Sequence, residues 1–114
     1  MQVEFLEDGK RLIARPQGRM DAADGERFAA ETQQLLQAKM KTVTIDLDHL
    51  EAVSFGGIRA MLKFARNLKD QERKIDFLGG GEIVRDALDQ AGFDDFFPFT
   101  PPFDSNRGKA DGTQ

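Results

Sequence analysis

Cysteine is absent from the 114 residues, which excludes a disulfide framework, a Cys-zinc site and a thiol nucleophile. Tryptophan and tyrosine are missing too, so ten phenylalanines supply all the aromatic content. The single histidine, His49, excludes a multi-histidine metal cluster and HExxH chemistry, and it reads as a surface loop residue. A basic excess is also lacking. Sixteen Lys and Arg face twenty Asp and Glu, for a formal charge of −4. A nucleic-acid binder usually carries a basic footprint, so no nucleic-acid partner is expected. No apolar run approaches the roughly 18 residues of a membrane span. No charged-then-apolar leader opens the chain. The expectation is therefore a cytoplasmic protein without direct membrane insertion. What is present, 39% hydrophobic and 32% charged residues, is the composition of one globular domain rather than a disordered chain.

Residues 104–114, DSNRGKADGTQ, contain no large apolar side chain and cannot offset the entropy of ordering. They read as a disordered tail after a folded unit of residues 1–103. Within that unit, Val3 and Phe5 alternate with polar neighbours before an Asp8-Gly9 turn, and Leu12 and Ala14 continue a hairpin that Pro16 and Gly18 end. Asp21 with Asp24 resembles a capping box. Phe28, Ala29, Thr32, Leu35, Leu36 and Lys39 then follow at helical spacing, with Gly25 a weak spot in the first turn. Val43, Ile45 and Leu47 alternate as a strand. Ile58, Met61, Leu62, Ala65 and Leu68 make the clearest helical stripe. Ile75, Phe77 and Leu78 mark another strand. Gly79-Gly80-Gly81 is a joint, and Ile83, Val84, Ala87 and Leu88 face inward on a short helix ended by Gly92. Phe93, Phe96, Phe97 and Phe99 form a last strand or packed extended segment. The order is β-β-α-β-α-β-α-β. It implies an α/β fold with a mixed sheet of four to five strands, an N-terminal hairpin then parallel strands, and helices packed against it through right-handed crossovers.

The segment TVTIDLDHLEAVSFGGI, residues 42–58, resembles the signature of STAS domains, the anti-sigma-factor antagonists and their relatives. Val43, Ile45, Asp46, Leu47 and Leu50 are similar to the strand half, and Gly57-Ile58 to the Gly-Leu that opens the next helix. Gly18-Arg19-Met20-Asp21 resembles the family's G-x-L-D. Residues 75–78, Val84, Leu88, Gly92 and Phe97 resemble its closing pattern. The likeness spans roughly residues 2–99. It implies a non-enzymatic interaction domain of bacterial kind that binds an anti-sigma factor or a histidine-kinase-like (serine-kinase-like) ATPase domain. It also implies no cofactor, no metal and no catalytic residue, in a monomer or weak dimer. In the family a loop serine accepts phosphate and releases the partner. Here the family's Asp-Ser pair aligns with Ser54-Phe55, so the acceptor position is a phenylalanine and switching there is not expected. The long closing helix of many antagonists has no counterpart. Other relatives serve as soluble accessory subunits of ABC-type lipid transporters or as small-ligand sensors, and that reading stays open beside the first.

The binding surface expected from the resemblance is Ser54, Phe55, Gly56, Gly57, Arg59 and Lys63. Ser54 suits an N-cap. Were it phosphorylated instead, the helix N-terminus would stabilise the anion. Phe55 either tucks under the loop as core or stands exposed as an anchor. Gly56-Gly57 permit a close partner or merely a tight turn. Arg59, Lys63 and Arg66 recur at i, i+4, i+7, which fits a solvated helix side or a strip that steers an acidic partner. Asp46 and Asp48 should share a strand face. No convergent third group favours acid-base or metal chemistry for them, and Asp46 is expected to organise the loop. Gly79-Gly80-Gly81 lacks Walker and GxGxxG spacing and reads as a hinge, with a small anionic ligand as the minority alternative.

Overall fold

The structure is a computed structural model, and it describes residues 1–92 and the backbone of the strand at 99–100. Among the described residues nine elements follow one another: β1 (Gln2–Asp8), β2 (Arg11–Met20), α1 (Ala22–Leu35), β3 (Thr42–Asp46), β4 (Leu50–Val53), α2 (Phe55–Asp70), β5 (Lys74–Leu78), α3 (Glu82–Gln90) and β6 (Phe99–Thr100). The sheet runs β1-β2-β3-β5-β6, with β4 paired to β2 off that path. β1 and β2 are antiparallel and the remaining pairs parallel, so the expected mixed α/β architecture is the one observed. Register stacks Leu12, Val43 and Ile75 in one row and Ala14, Ile45 and Phe77 in the next. These six are buried, and α1, α2 and α3 close over them with Phe28, Met61, Phe64, Leu68, Val84 and Leu88. Phe28 and Phe64 meet edge to face at 6.1 Å between α1 and α2.

Four expectations need correction. β4 is an additional strand between β3 and α2. Four residues give too few alternations for period 2 to register. Next, β2 does not end at Pro16. The β2–β3 ladder stops at Ala14 and the β2–β4 ladder starts at Gly18, so Pro16 lies in the gap, where no parallel partner needs its missing N–H. Gly18, at φ +93°, opens the β2–β4 ladder opposite Leu50, and the register then shifts within that ladder, since Arg19 pairs with Ala52 rather than Glu51. α1 stops at Leu35, capped by Leu36, rather than running to Lys39. Leu35 is consequently exposed, while Met40 beyond it is buried. Arg73 staples that connector by donating from Nε to the Met40 carbonyl at 2.8 Å and from Nη2 to the Gln37 carbonyl at 3.0 Å. Finally, Leu62 is only half-buried and Phe64 takes its place in the core, while Ile83 on α3 is 73% exposed.

Local signals elsewhere translate directly. Asp21 and Asp24 make a reciprocal capping box, with Asp24 N–H donating to Asp21 Oδ1 at 2.8 Å and Asp21 N–H to Asp24 Oδ2 at 3.2 Å. The Asp21 N–H bond holds the Asp24 carboxyl below its ordinary range. Thr32 enters the buried stripe of α1 because its hydroxyl donates to the Phe28 carbonyl at 2.7 Å. Gly92, at φ +83°, follows the α3 C-cap. Most of the phenylalanine-rich segment after Gly92 and all of residues 104–114 lie outside the described residues.

Candidate functional site

The turn that leaves β3 and leads through β4 to α2 is built on Asp46, the last residue of β3. Asp46 is buried, and both of its carboxylate oxygens are engaged. Oδ2 accepts from Arg15 Nε at 2.9 Å, and Oδ1 accepts from the Asp48 N–H at 3.0 Å. Arg15 also donates from Nη1 to Glu4 Oε1 at 3.3 Å, so a row of charges crosses β1, β2 and β3. The hydrogen bond to Asp46 is the main reason the Arg15 guanidinium is held above its ordinary pKa, and Glu4 adds to it. Asp48 does not share a strand face with Asp46, because β3 ends before it. It is exposed and reaches instead to the β5–α3 joint, where its Oδ1 accepts from the Gly80 N–H at 2.9 Å.

That reach explains the triple glycine. Gly79 and Gly80 have φ of +68° and +102°, a region that disfavours side chains. A Cβ on Gly79 would stand 2.1 Å from Asp48 Oδ1. Arg85 Nη1 closes the joint on the Gly79 carbonyl at 3.2 Å. The amide a phosphate would need at Gly80 is therefore already satisfied by a carboxylate. Gly81, the N-cap of α3, makes no side-chain cap hydrogen bond.

On the other side of the loop, β4 delivers the chain to α2. Ser54 is the N-cap: its Oγ accepts from the Gly57 N–H at 3.0 Å, and its own N–H donates to the Met20 carbonyl at 2.9 Å. Phe55, the first helical residue, is 73% exposed and does not tuck under the loop. The Arg59 guanidinium lies 5.8 Å from the centroid of its ring, one helical turn on. Gly56 and Gly57 face inward. A Cβ on Gly56 would stand 2.7 Å from Ala22 Cβ, and one on Gly57 would stand 2.6 Å from the Met20 carbonyl oxygen. Gly25, weak by propensity, belongs to the same seam, since its Cβ would meet Ala60 Cβ at 2.7 Å. Small residues thus let the first turns of α1 and α2 touch. Lys63 is exposed one turn beyond Arg59, and both line an open trough of about 740 Å³ along α2. Ser54 lines a separate recess with Arg19, Met20 and Asp21.

Of the six surface residues expected from the sequence, Phe55, Arg59 and Lys63 form one exposed strip, Ser54 caps it, and Gly56 and Gly57 support it from behind. The Asp48–Gly80 bond had no local signal, because its partners lie 32 residues apart. Among the described residues no three His, Asp or Glu side chains converge as metal ligands. No helix among them is long and apolar enough to cross a membrane.

The fold defines the class first: a mixed-sheet α/β domain with the architecture of solved anti-sigma factor antagonists. A candidate antagonist from Thermotoga maritima superposes with a TM-score of 0.79 at 9% identity, over 94% of this chain and 92% of that one. The phosphorylated form of SpoIIAA, a Bacillus cell fate determinant, gives 0.68 at 14% identity over 95% and 97%. More particularly, the chain belongs to the STAS domain family, whose model matches residues 2–110. In sequence it is 29% identical over 87 residues to BtrV of Bordetella bronchiseptica, a candidate anti-sigma factor antagonist, covering 76% of this chain and 75% of that protein.

Proposed function

We propose that this chain is a non-enzymatic interaction domain of the partner-switching kind, which binds an anti-sigma factor or a histidine-kinase-like ATPase domain through residues 53–57 and the first turns of α2. The observation that carries the reading is Phe55. A large aromatic ring, 73% exposed at the start of a capped helix, is held in place by glycine packing behind it and a guanidinium beside it. Exposed aromatic anchors of this type dominate interface energetics. The same residue sets the regulation. SpoIIAA has a phosphorylated form. Phenylalanine at the position that resembles the acceptor has no hydroxyl, so this domain holds its partner without a phosphate switch at residue 55. The neighbouring hydroxyl, Ser54 Oγ, is engaged by the Gly57 N–H.

The test begins with co-purification from the native cell, followed by titration of the partner with Phe55→Ala and Phe55→Asp. Truncation should weaken binding by about 2 kcal/mol or more. The aspartate should weaken it further, by placing an unpaired charge where the partner excludes water. Mass spectrometry of the peptide spanning residues 53–59, after incubation with partner and ATP, should show no stoichiometric phosphate. Phosphate on Ser54 would restore switching with a shifted acceptor. Unchanged affinity in both variants, with an ABC ATPase or permease as the captured protein, would replace this reading with a transporter accessory subunit.

A further inference from the structure

The charge of this protein is unevenly placed. The chain carries −4, yet α2 bears Arg59, Lys63, Arg66 and Lys69 against Asp70 alone. The flanking helices carry the opposite balance, with Asp24, Glu26 and Glu31 against Arg27 on α1, and Glu82, Asp86 and Asp89 against Arg85 on α3. Arg59, Lys63 and Arg66 are exposed and line the open trough on α2. Gly56, Ala60 and the half-buried Leu62 add small apolar surface to its lining, and two acids line it as well, Glu26 of α1 and Asp70 at the end of α2. At a rise of about 1.5 Å per residue, the three cations span about 10 Å along α2, the same length that carboxylates at i, i+4 and i+7 span along a second helix lying beside it.

We infer that this trough seats an acidic amphipathic helix of the protein partner, its carboxylates on Arg59, Lys63 and Arg66 and a small apolar face over Ala60 and Leu62. Helix-in-groove recognition lays the apolar face of an amphipathic helix into a groove, and the row of cations adds charge complementarity to an acidic one. Glu26 on the α1 side and Asp70 beyond Arg66 repel carboxylates, which confines the acidic face of the incoming helix to the row of three cations. The surrounding acidic surface disfavours a polyphosphate, which would have to lie along a much longer basic track. The inference rests on the reading of this chain as an interaction domain and adds the chemistry of what it grips. Phe55 supplies the apolar anchor at one end and the trough the charge match along the helix.

The probe is a fluorescein-labelled helical 16-residue peptide with glutamate at i, i+4 and i+7 and alanine or leucine between. Its controls are the glutamine counterpart and a labelled oligothymidylate, all titrated against the full chain. The glutamate peptide should bind with backbone amide shifts confined to α2 and the start of α1. Raising salt from 50 to 300 mM should weaken it several-fold. Lys63→Glu should weaken it at least tenfold and Lys63→Gln by an intermediate factor, with the melting temperature of each variant matching the parent. Equal binding by Lys63→Glu, equal binding of the glutamine peptide, or tighter binding of the oligothymidylate would each overturn the inference. Any of these leaves the Phe55 reading intact, because that reading is judged on the native partner. A loss of the Phe55 effect would conversely leave the peptide result standing.

Discussion

Two turns lead from parallel strands into helices, and both are rich in glycine for different reasons. At the β4–α2 turn, Gly56 and Gly57 have ordinary backbone angles, and their missing side chains make room for Ala22 and Met20. At the β5–α3 turn, Gly79 and Gly80 adopt positive φ, and the space beside Gly79 is filled by a side chain, Asp48. The first turn is locked by backbone and capped by Ser54, whereas the second is latched by one exposed carboxylate and lacks a side-chain cap. Both helices then present a large apolar residue in their first turn, Phe55 and Ile83, each 73% exposed. The comparison teaches that a glycine is worth what stands opposite it. A backbone carbonyl cannot yield, and a carboxylate at the end of a side chain can.

The sharpest way to break this contrast is Gly57→Ala. Its new methyl meets the Met20 carbonyl, so unfolding in urea should show a loss of about 3 kcal/mol, the upper end of ordinary overpacking. A loss below that of Gly79→Ala would show that the α1–α2 seam is soft. Gly79→Ala should cost about 1.5 kcal/mol, chiefly for placing a side chain at positive φ. Part of that cost comes from displacing Asp48. A double-mutant cycle with Asp48→Ala should therefore reveal coupling of about 0.5 kcal/mol or more, and strict additivity would deny the latch. Ser54→Ala comes next, at about 1 kcal/mol for a lost N-cap, read as a fall in thermal midpoint. Smallest are Phe55→Ala and Ile83→Ala, each within about 0.5 kcal/mol for folding because neither side chain is buried. A large stability loss in either would show that it packs.

The architecture was legible because its long elements have clear periods. The α2 stripe, the Asp21–Asp24 box and the alternation of Val43 and Ile45 each point to one element, and the observed helices and strands begin there. The failures have physical sources. β4 is too short to show a period. Pro16 counts as a strand breaker only where a neighbouring strand needs its amide, and on the side away from β1 neither parallel ladder is present at that point. Ile83 sits at an apolar helical position, and only the tertiary placement of α3 turns it outward. At the candidate site the types and order of residues could be read from residues 42–58. The exposure of Phe55 and the Asp48–Gly80 bond could not, since each depends on how separate turns meet at one end of the sheet.

The length of β2 has a consequence for motion. It pairs with β1 along one edge and, on the other, first with β3 and then with β4; the gap between these two ladders contains Pro16, and the second ladder is itself irregular between Gly18 and Arg19. Local opening follows such breaks in hydrogen-bonded continuity, so cooperative units should divide there. In deuterium exchange, the amides of residues 11–15 and 42–46 should be the last to label, at the cost of global unfolding. Those of β4 and the first turn of α2 should label earlier and together. The strip that carries Phe55 would then ride on a small subdomain that can loosen while the sheet behind it stays closed.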